Sequence, residues 1–478
     1  MKHRSLTLLA LFVGFVSAQA GVYINSTNFP DTNFRNLLMS SYDPNHDGYL
    51  SDSELATITK LYAYNQNIQS LTGIGVFYAL QELYVYGNPN LTQLSLSSNK
   101  ALMRLDCYNC SLTELNVSGW TSMKDLNCSN NQLITLGTLP SSLENLNCYN
   151  NRLTGFSFSI NVPANMQTIA CGANNFRKLT LIKGSSLKTL NVMNCTSLDE
   201  LICSDNQLTS LSVSGCTSLQ TLKCSNNQLT SLSQLPSSLT TLICSINQLT
   251  TLSLPTTLEY LECNRNNLST LNLQGLASLE SLYCRENHLL STLNVQGCSS
   301  LSFLDCNNCK LTELNLSSIS SLQNIRAYSN NLTSFNALGN TGLEILRLQN
   351  NPQLSRGNIK FETGSLQELN LSGTQGNYYD LIRDMPNLQK LTLDSLSNIN
   401  TMDIHDNPNL TTLSMKNCPT LRSLYCNGNA LTSLNVSGNN ALQNFSCSSN
   451  QLSSVNLSGL SNLLYVDIFN NRIKEATM

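Results

Sequence analysis

Residues 222–235 read LKCSNNQLTSLSQL, and the phrase returns as LNCSNNQLITL at 126–136 and as LDCNNCKLTELNLSSISSL at 304–322. Its frame is Leu-x-x-Leu-x-Cys-x-x-Asn-x-Leu, followed by Thr-x-Leu-x-Val and a Ser/Gly/Asn turn, with a period of roughly 21 residues. The cysteine of the frame, the ladder slot, falls at Cys107, Cys128, Cys148, Cys171, Cys203, Cys224, Cys244, Cys263, Cys284, Cys306, Cys426 and Cys447. Ala63, Val85, Ala327, Leu348, Leu371 and Ile468 fill the same slot with other apolar groups. Two stretches, Val192 to Cys203 and Leu393 through Ile404 and Met415 to Cys426, advance by 11 residues, and local irregularity is expected there.

Around the ladder slot apolar and polar residues alternate, which is strand periodicity, and no 3.6-residue helical spacing persists between strands. One such repeat cannot bury its own apolar side, so coils must stack, each adding a strand to a parallel sheet. The predicted fold is a leucine-rich-repeat solenoid of about 20 coils: a right-handed coil stack with one long curved parallel β-sheet, little helix and a small helical N-terminal cap. The predicted boundaries are a leader at 1–20, a cap at 21–57 and the solenoid at 58–478. Asparagines three residues past the ladder slot, such as Asn131, Asn151, Asn206, Asn227, Asn247, Asn266, Asn450 and Asn471, are placed to satisfy backbone groups where the chain leaves the strand.

The other six of the 18 cysteines, Cys110, Cys195, Cys216, Cys298, Cys309 and Cys418, stand in that asparagine column. Placement by register is what buried thiols acting as small hydrophobes show. The alternatives are disulfides and a metal. Neighbouring ladder Cα atoms are close enough for bonds, but parallel Cβ vectors give poor torsions. Cys107-x-x-Cys110 and Cys306-x-x-Cys309 match zinc spacing only superficially, so no zinc or redox cofactor is expected.

These phrases resemble the cysteine-ladder leucine-rich repeats of internalin-J-type surface proteins, and also BspA-like proteins of Bacteroidetes, from about Ile58 onward. The resemblance implies a curved solenoid used in adhesion, in host-cell or matrix contact, or in biofilm. The stretches NFPDTNFRNLL (28–38) and DGYLSDSELATITKL (47–61) are similar to the N-terminal cap segment of the Bacteroidetes group.

Lys2 and Arg4, an apolar run from Leu6 to Val16, and Ala18 and Ala20 form a secretory signal peptide, so the chain is expected at the cell surface or outside it. The run is too short to span a bilayer, and no later segment reaches the roughly 18 apolar residues required. Within the cap, Asp43-x-Asn45-x-Asp47-Gly48-Tyr49-x-Ser51-x-x-Glu54 matches the twelve-residue calcium loop. Asp43, Asn45 and Asp47 would give side-chain oxygens, Tyr49 its carbonyl, Ser51 a direct or water-mediated contact and Glu54 a bidentate carboxylate, with calcium in a structural role. The plain alternative is an Asx-rich turn over the first coil. Asp31 to Met39 reads as the entering helix, capped by Asp31.

Charged residues make up 12% of the chain and the net charge is -3, with signs interspersed, so no basic stripe exists to hold nucleic acid. Positions flanking the ladder slot point to solvent, and there the first coils present Tyr62, Tyr64, Tyr84, Tyr86 and Tyr108, with Tyr149 two coils on. A second cluster is Tyr283, Arg285, Arg326, Tyr328 and Arg347. Such residues suit a protein partner or a glycan, although aromatic residues also stabilise sheets on their own account. The four histidines lack a nucleophile in an activating context: only His405, near Asp403 and Asp406, is placed on the sheet face. The expectation is a binding protein engaging a protein through its open sheet face, with a glycan-binding module or an architectural surface component as alternatives, and not an enzyme.

Overall fold

The computed structural model describes residues 21–156, 162–182, 186–317, 319–378 and 380–477. The predicted signal peptide, 1–20, lies outside the described residues. The chain forms two compact units, divided between Met166 and Gln167.

The first unit opens with the cap. Strand β1 (Val22–Tyr23) runs antiparallel to β2 (Tyr49–Leu50), and between and after them lie helices α1 (Thr32–Ser41) and α2 (Asp52–Thr57). The Asp31 carboxylate accepts the Phe34 N–H at 2.9 Å, so α1 starts where the sequence places its cap. Helix α2 opens on a reciprocal pair: Ser51 accepts from the Glu54 N–H, and Glu54 accepts from the Ser51 N–H. Phe29, Phe34, Leu38, Leu50 and Leu55 are buried together as the apolar side of this cap, with Phe29 and Phe34 meeting edge to face.

Five parallel strands follow, β3 (Lys60–Tyr62), β4 (Glu82–Tyr84), β5 (Arg104–Asp106), β6 (Asp125–Asn127) and β7 (Asn145–Asn147). Their register sets Leu61, Leu83, Leu105, Leu126 and Leu146 side by side. The leucine of each triplet turns inward and its neighbours turn out, as the period of two requires.

The second unit repeats this scheme with two strand positions per coil. Strands β8 (Thr168–Ala170), β10 (Thr189–Asn191) and β12 (Ser210–Ser212) pair with one another through Ile169, Leu190 and Leu211. Between them in sequence, β9 (Lys178–Thr180), β11 (Glu200–Ile202) and β13 (Thr221–Lys223) pair through Leu179, Leu201 and Leu222 and begin a thirteen-stranded parallel sheet. The strands are thus shared among several sheets where one was expected, because both phrases of the repeat, Leu-x-Cys and Leu-x-Val, are able to form a strand. In the coils that carry Pro236 and Pro255 the second phrase forms no strand.

The two 11-residue jumps follow from this alternation. Val192 follows β10 and Cys203 follows β11, in different sheets. Likewise Leu393 and Met415 follow strands of the thirteen-stranded sheet, whereas Ile404 and Cys426 follow strands of a four-stranded sheet that pairs Met402, Leu424, Phe445 and Val466. The expected irregularity is a change in which strand position carries the thiol; both strand registers continue through it.

Candidate ligand-binding face

The interior columns determine what is left facing outward. All eighteen cysteines are buried free thiols. Burial pushes the Cys128 and Cys224 thiols up to about 12, and it likewise holds Cys107 and Cys203 well above the ordinary thiol value. Such groups stay protonated and are poor nucleophiles.

Each column asparagine joins two coils. Asn247 donates to the carbonyls of Cys224 at 3.0 Å and Cys244 at 3.1 Å, while its Oδ1 accepts the Leu229 N–H at 3.0 Å. Asn131, Asn227, Asn266 and Asn450 repeat the arrangement. Where cysteine stands instead, its thiol reaches the same carbonyl of the preceding coil: Cys110 to Val85, Cys216 to Val192, Cys309 to Cys284. In these three places the preceding coil already satisfies its own leucine N–H, through Leu91 to Asn88, Leu198 to Cys195 and Leu290 to Asn287. An acceptor is then unnecessary and a thiol suffices.

With inward positions filled this way, the outer face of the first unit belongs to tyrosine. Tyr62 and Tyr84 stack with centroids 5.1 Å apart. A second column stacks Tyr64 on Tyr86 at 4.9 Å and Tyr86 on Tyr108 at 4.4 Å, with ring planes 2° and 7° apart. Tyr62 and Tyr64 are 48% and 39% exposed, so the array is open to solvent at its outer end. Tyr149 lies in the same column two coils further on, with Ser129 between it and Tyr108.

Beside the rings runs a column of charge that inspection of the slots next to the ladder passes over: Lys60, Glu82, Arg104 and Asp125, the first residue of each strand triplet. Lys60 meets Glu82 at 2.9 Å, and Glu82 also accepts from the Tyr84 hydroxyl at 2.6 Å. That bond holds the Tyr84 proton, pushing its pKa up to about 12, and keeps Glu82 below the usual carboxylate range. Arg104 lies over the Tyr84 ring at 5.5 Å and pairs with Asp106 at 3.1 Å. The charges neutralise one another, so the face offers ring edges and hydroxyls in place of a net field.

The second cluster is more self-engaged. Tyr283 contacts Tyr260 at 5.5 Å and stacks on Phe303 at 4.7 Å, and Arg326 lies over Phe303 at 5.1 Å. Arg347 grips Glu368 with two bonds of 3.0 and 3.1 Å. Arg285 lies 4.0 Å from Glu286, and Tyr328 is two coils on in the Arg285 column, past Asn307. Tyr260 and Phe303 escape the sequence reading for the same reason as Lys60: they are first residues of triplets. Trp120 is 3% exposed and belongs to the core.

His405 bonds Asp403 at 2.7 Å and lies 3.4 Å from Asp406. His46 and His288 are exposed. Among the described residues, no group of three or more His, Cys, Asp and Glu side chains is placed to hold a metal ion. The predicted calcium-loop residues run from the end of α1 into the first turn of α2, where Asp43 is buried, Asn45 and Asp47 are exposed, and Tyr49, Ser51 and Glu54 are half-buried. Asp43 Oδ2 accepts the Gly48 N–H at 2.9 Å, Asn45 Oδ1 the Asp47 N–H at 3.1 Å and Asp47 Oδ1 the Tyr49 N–H at 2.8 Å.

Stacked coils, parallel strands and interior asparagine and thiol columns define this chain as a leucine-rich-repeat solenoid. A family model described as Leucine Rich repeats (2 copies) matches residues 196–237. The chain is similar to the functional domain of InlJ from Listeria monocytogenes, which includes a cysteine ladder, with 26% identity over 82% of this chain and 87% of that one and a TM-score of 0.31. YopM from Yersinia enterocolitica is 23% identical over 93% of this chain and 91% of its own, with a TM-score of 0.38. The internalin InlF of Listeria monocytogenes is 20% identical over 70% and 93%, with a TM-score of 0.28. No curated protein matches the chain. Among the described residues, no helix is long and apolar enough to cross a membrane.

Proposed function

We propose that the chain is an exported, adhesin-like binding protein that engages a protein partner, on host cells, matrix or neighbouring bacteria, through the tyrosine face of its first coils. The observation that carries this reading is the outward-facing double column of Tyr62, Tyr84 and Tyr64, Tyr86, Tyr108, exposed at Tyr62 and Tyr64 and half-exposed along the rest. Aligned rings form a rigid amphipathic surface that loses little side-chain entropy on binding, which suits a protein hot spot.

The stacking also bears on the choice between a protein and a glycan. A sugar that lies flat on an aromatic residue needs an open ring face, and here the inner faces are covered at 4.4–5.1 Å by the next ring. Edges and hydroxyls remain, which favours a protein over a glycan. The test is paired arrays of extracellular proteins and glycans probed with the wild-type chain and with Tyr64→Ala combined with Tyr86→Ala. Saturable protein binding that the double variant loses, at unchanged melting temperature, supports the reading. Binding confined to glycans, or protein binding indifferent to both tyrosines, overturns it.

A further inference from the structure

We infer that the loop between α1 and α2 binds one calcium ion, and that the bound ion braces the strand on which the tyrosine face begins. The ligands would be Asp43, Asn45, Asp47, the Tyr49 carbonyl, Ser51 and Glu54, all oxygen donors of the hard kind that calcium requires; the three carboxylates do not stand together as a preformed cluster, and the ion draws them in on binding. An Asx-rich turn would show the same backbone bonds, so those bonds do not separate the two readings. Asp43 does. Its side chain is 2% exposed, and while Oδ2 takes the Gly48 N–H inside the loop, Oδ1 is buried and meets no hydrogen-bond partner. A buried carboxylate oxygen left unpaired is costly, and a cation held by the same loop is the group that satisfies it.

The remaining pieces fit around that oxygen. Gly48 turns with φ of 73°, where a side chain would be strained. The Ile24 N–H donates to the Gly48 carbonyl at 2.8 Å, so β1 holds the loop at its turn. Glu54 caps α2 through Oε2, bonding the Ser51 N–H at 2.8 Å, and its carboxylate therefore lies at the end of the loop where the twelfth ligand belongs.

The loop is tied to the first strand through the residue before Asp43. The Tyr42 hydroxyl accepts the Tyr62 N–H at 2.6 Å, satisfying a backbone donor of β3. Asp31 of the same cap accepts the N–H groups of Gln69 and Ser70 at 2.7 and 3.1 Å. An ion that fixes Asp43 thereby fixes Tyr42, and with it the backbone under Tyr62. The importance of this bracing for partner binding rests on the function proposed above; the metal site itself does not.

Calcium titration of the full chain by calorimetry, with terbium luminescence sensitised by the nearby tyrosines, tests the site without any partner. The expected result is one ion per chain, with Kd on the order of 10⁻⁴ to 10⁻³ M, a melting temperature that rises with calcium, and little response to magnesium. Glu54→Gln keeps the helix-capping pair but removes a ligand charge, so it should fold normally and bind roughly tenfold or more weakly. Asp47→Asn should weaken binding in the same direction. Absence of saturable binding in several-millimolar calcium, or binding that both variants leave unchanged, overturns the site. If the site holds while the tyrosine variants leave partner binding intact, only the function proposed above falls.

Discussion

Two columns are built by the same repeat and end in opposite environments: the asparagine-and-thiol column inside the second unit, exemplified by Asn227, Asn247 and Asn266, and the tyrosine column outside the first, Tyr64, Tyr86 and Tyr108. In the interior column an asparagine such as Asn247 makes three backbone bonds, of which the one from the Leu229 N–H has no substitute. In the exterior one each ring touches its neighbours and water. Identical spacing therefore does not imply identical energetic weight. What decides the weight is whether removing the side chain leaves buried polar groups without partners.

The largest expected effect follows for Asn247→Ala. It orphans the Leu229 N–H and takes one of two amide donors from each of the Cys224 and Cys244 carbonyls, which keep those of Asn227 and Asn266, and the loss should be roughly 2–3 kcal/mol, read as a drop in denaturant midpoint. Asn247→Cys sharpens the point. A thiol recovers the bond to the preceding coil, as Cys309 does to Cys284, but offers nothing to Leu229, so its cost should fall between alanine and wild type. Equal costs for the two variants would break the account of why asparagine and cysteine share the column.

The fold was legible because leucines, thiols and asparagines recur in one register, and because each position in that register has a single job. The helix cap at Asp31 and the two tyrosine columns were legible for the same reason. The alternation between sheets was visible only as 11-residue jumps. Spacing reports how far the chain has advanced; it does not report that Val192 and Cys203 enter different ladders, because both phrases present a leucine to the core. Lys60, Glu82, Arg104, Tyr260 and Phe303 do not stand out in the sequence because they lie outside the slots that flank the ladder. The first residue of each triplet faces outward as well, two residues before the slot that precedes the ladder, with the inward leucine between them. Tyr149 was grouped with the array because it shares the column; Ser129 separates it.

An intermediate effect is expected from pH. The folded thiols titrate higher than the ordinary value of 9.0, at about 12 for Cys128 and Cys224 and about 11 for Cys298, Cys309 and Cys418. Between the two values the unfolded chain releases protons that the folded chain keeps. The folded state then binds more protons, so its stability declines as pH rises above about 9 and continues to decline until the folded thiols themselves ionise. Denaturant midpoints measured from pH 7 to 10.5 should fall across the upper part of this range, and alkylation at pH 8 should proceed only as fast as the chain opens. Rapid alkylation of several thiols in the native protein would remove the interior column from the comparison.

The smallest effect on stability belongs to the exterior. Tyr86 sits between Tyr64 and Tyr108, so Tyr86→Ala deletes two stacking contacts, each worth about 0.5–1.5 kcal/mol beyond area burial in favourable settings, but it orphans no backbone group. Its half-exposed ring was never fully withdrawn from water, and the gap left behind is open to solvent and not sealed as a cavity. A loss of about 1 kcal/mol, well under that of Asn247→Ala, is the expected reading. A loss as large as the asparagine's would mean that the rings hold the first coils together, and the tyrosine column would then be structural in the same sense as the interior one. A small loss of stability accompanied by a large loss of partner binding would separate the two columns by function, since only a surface that contributes little to folding is free to be specified by what it binds.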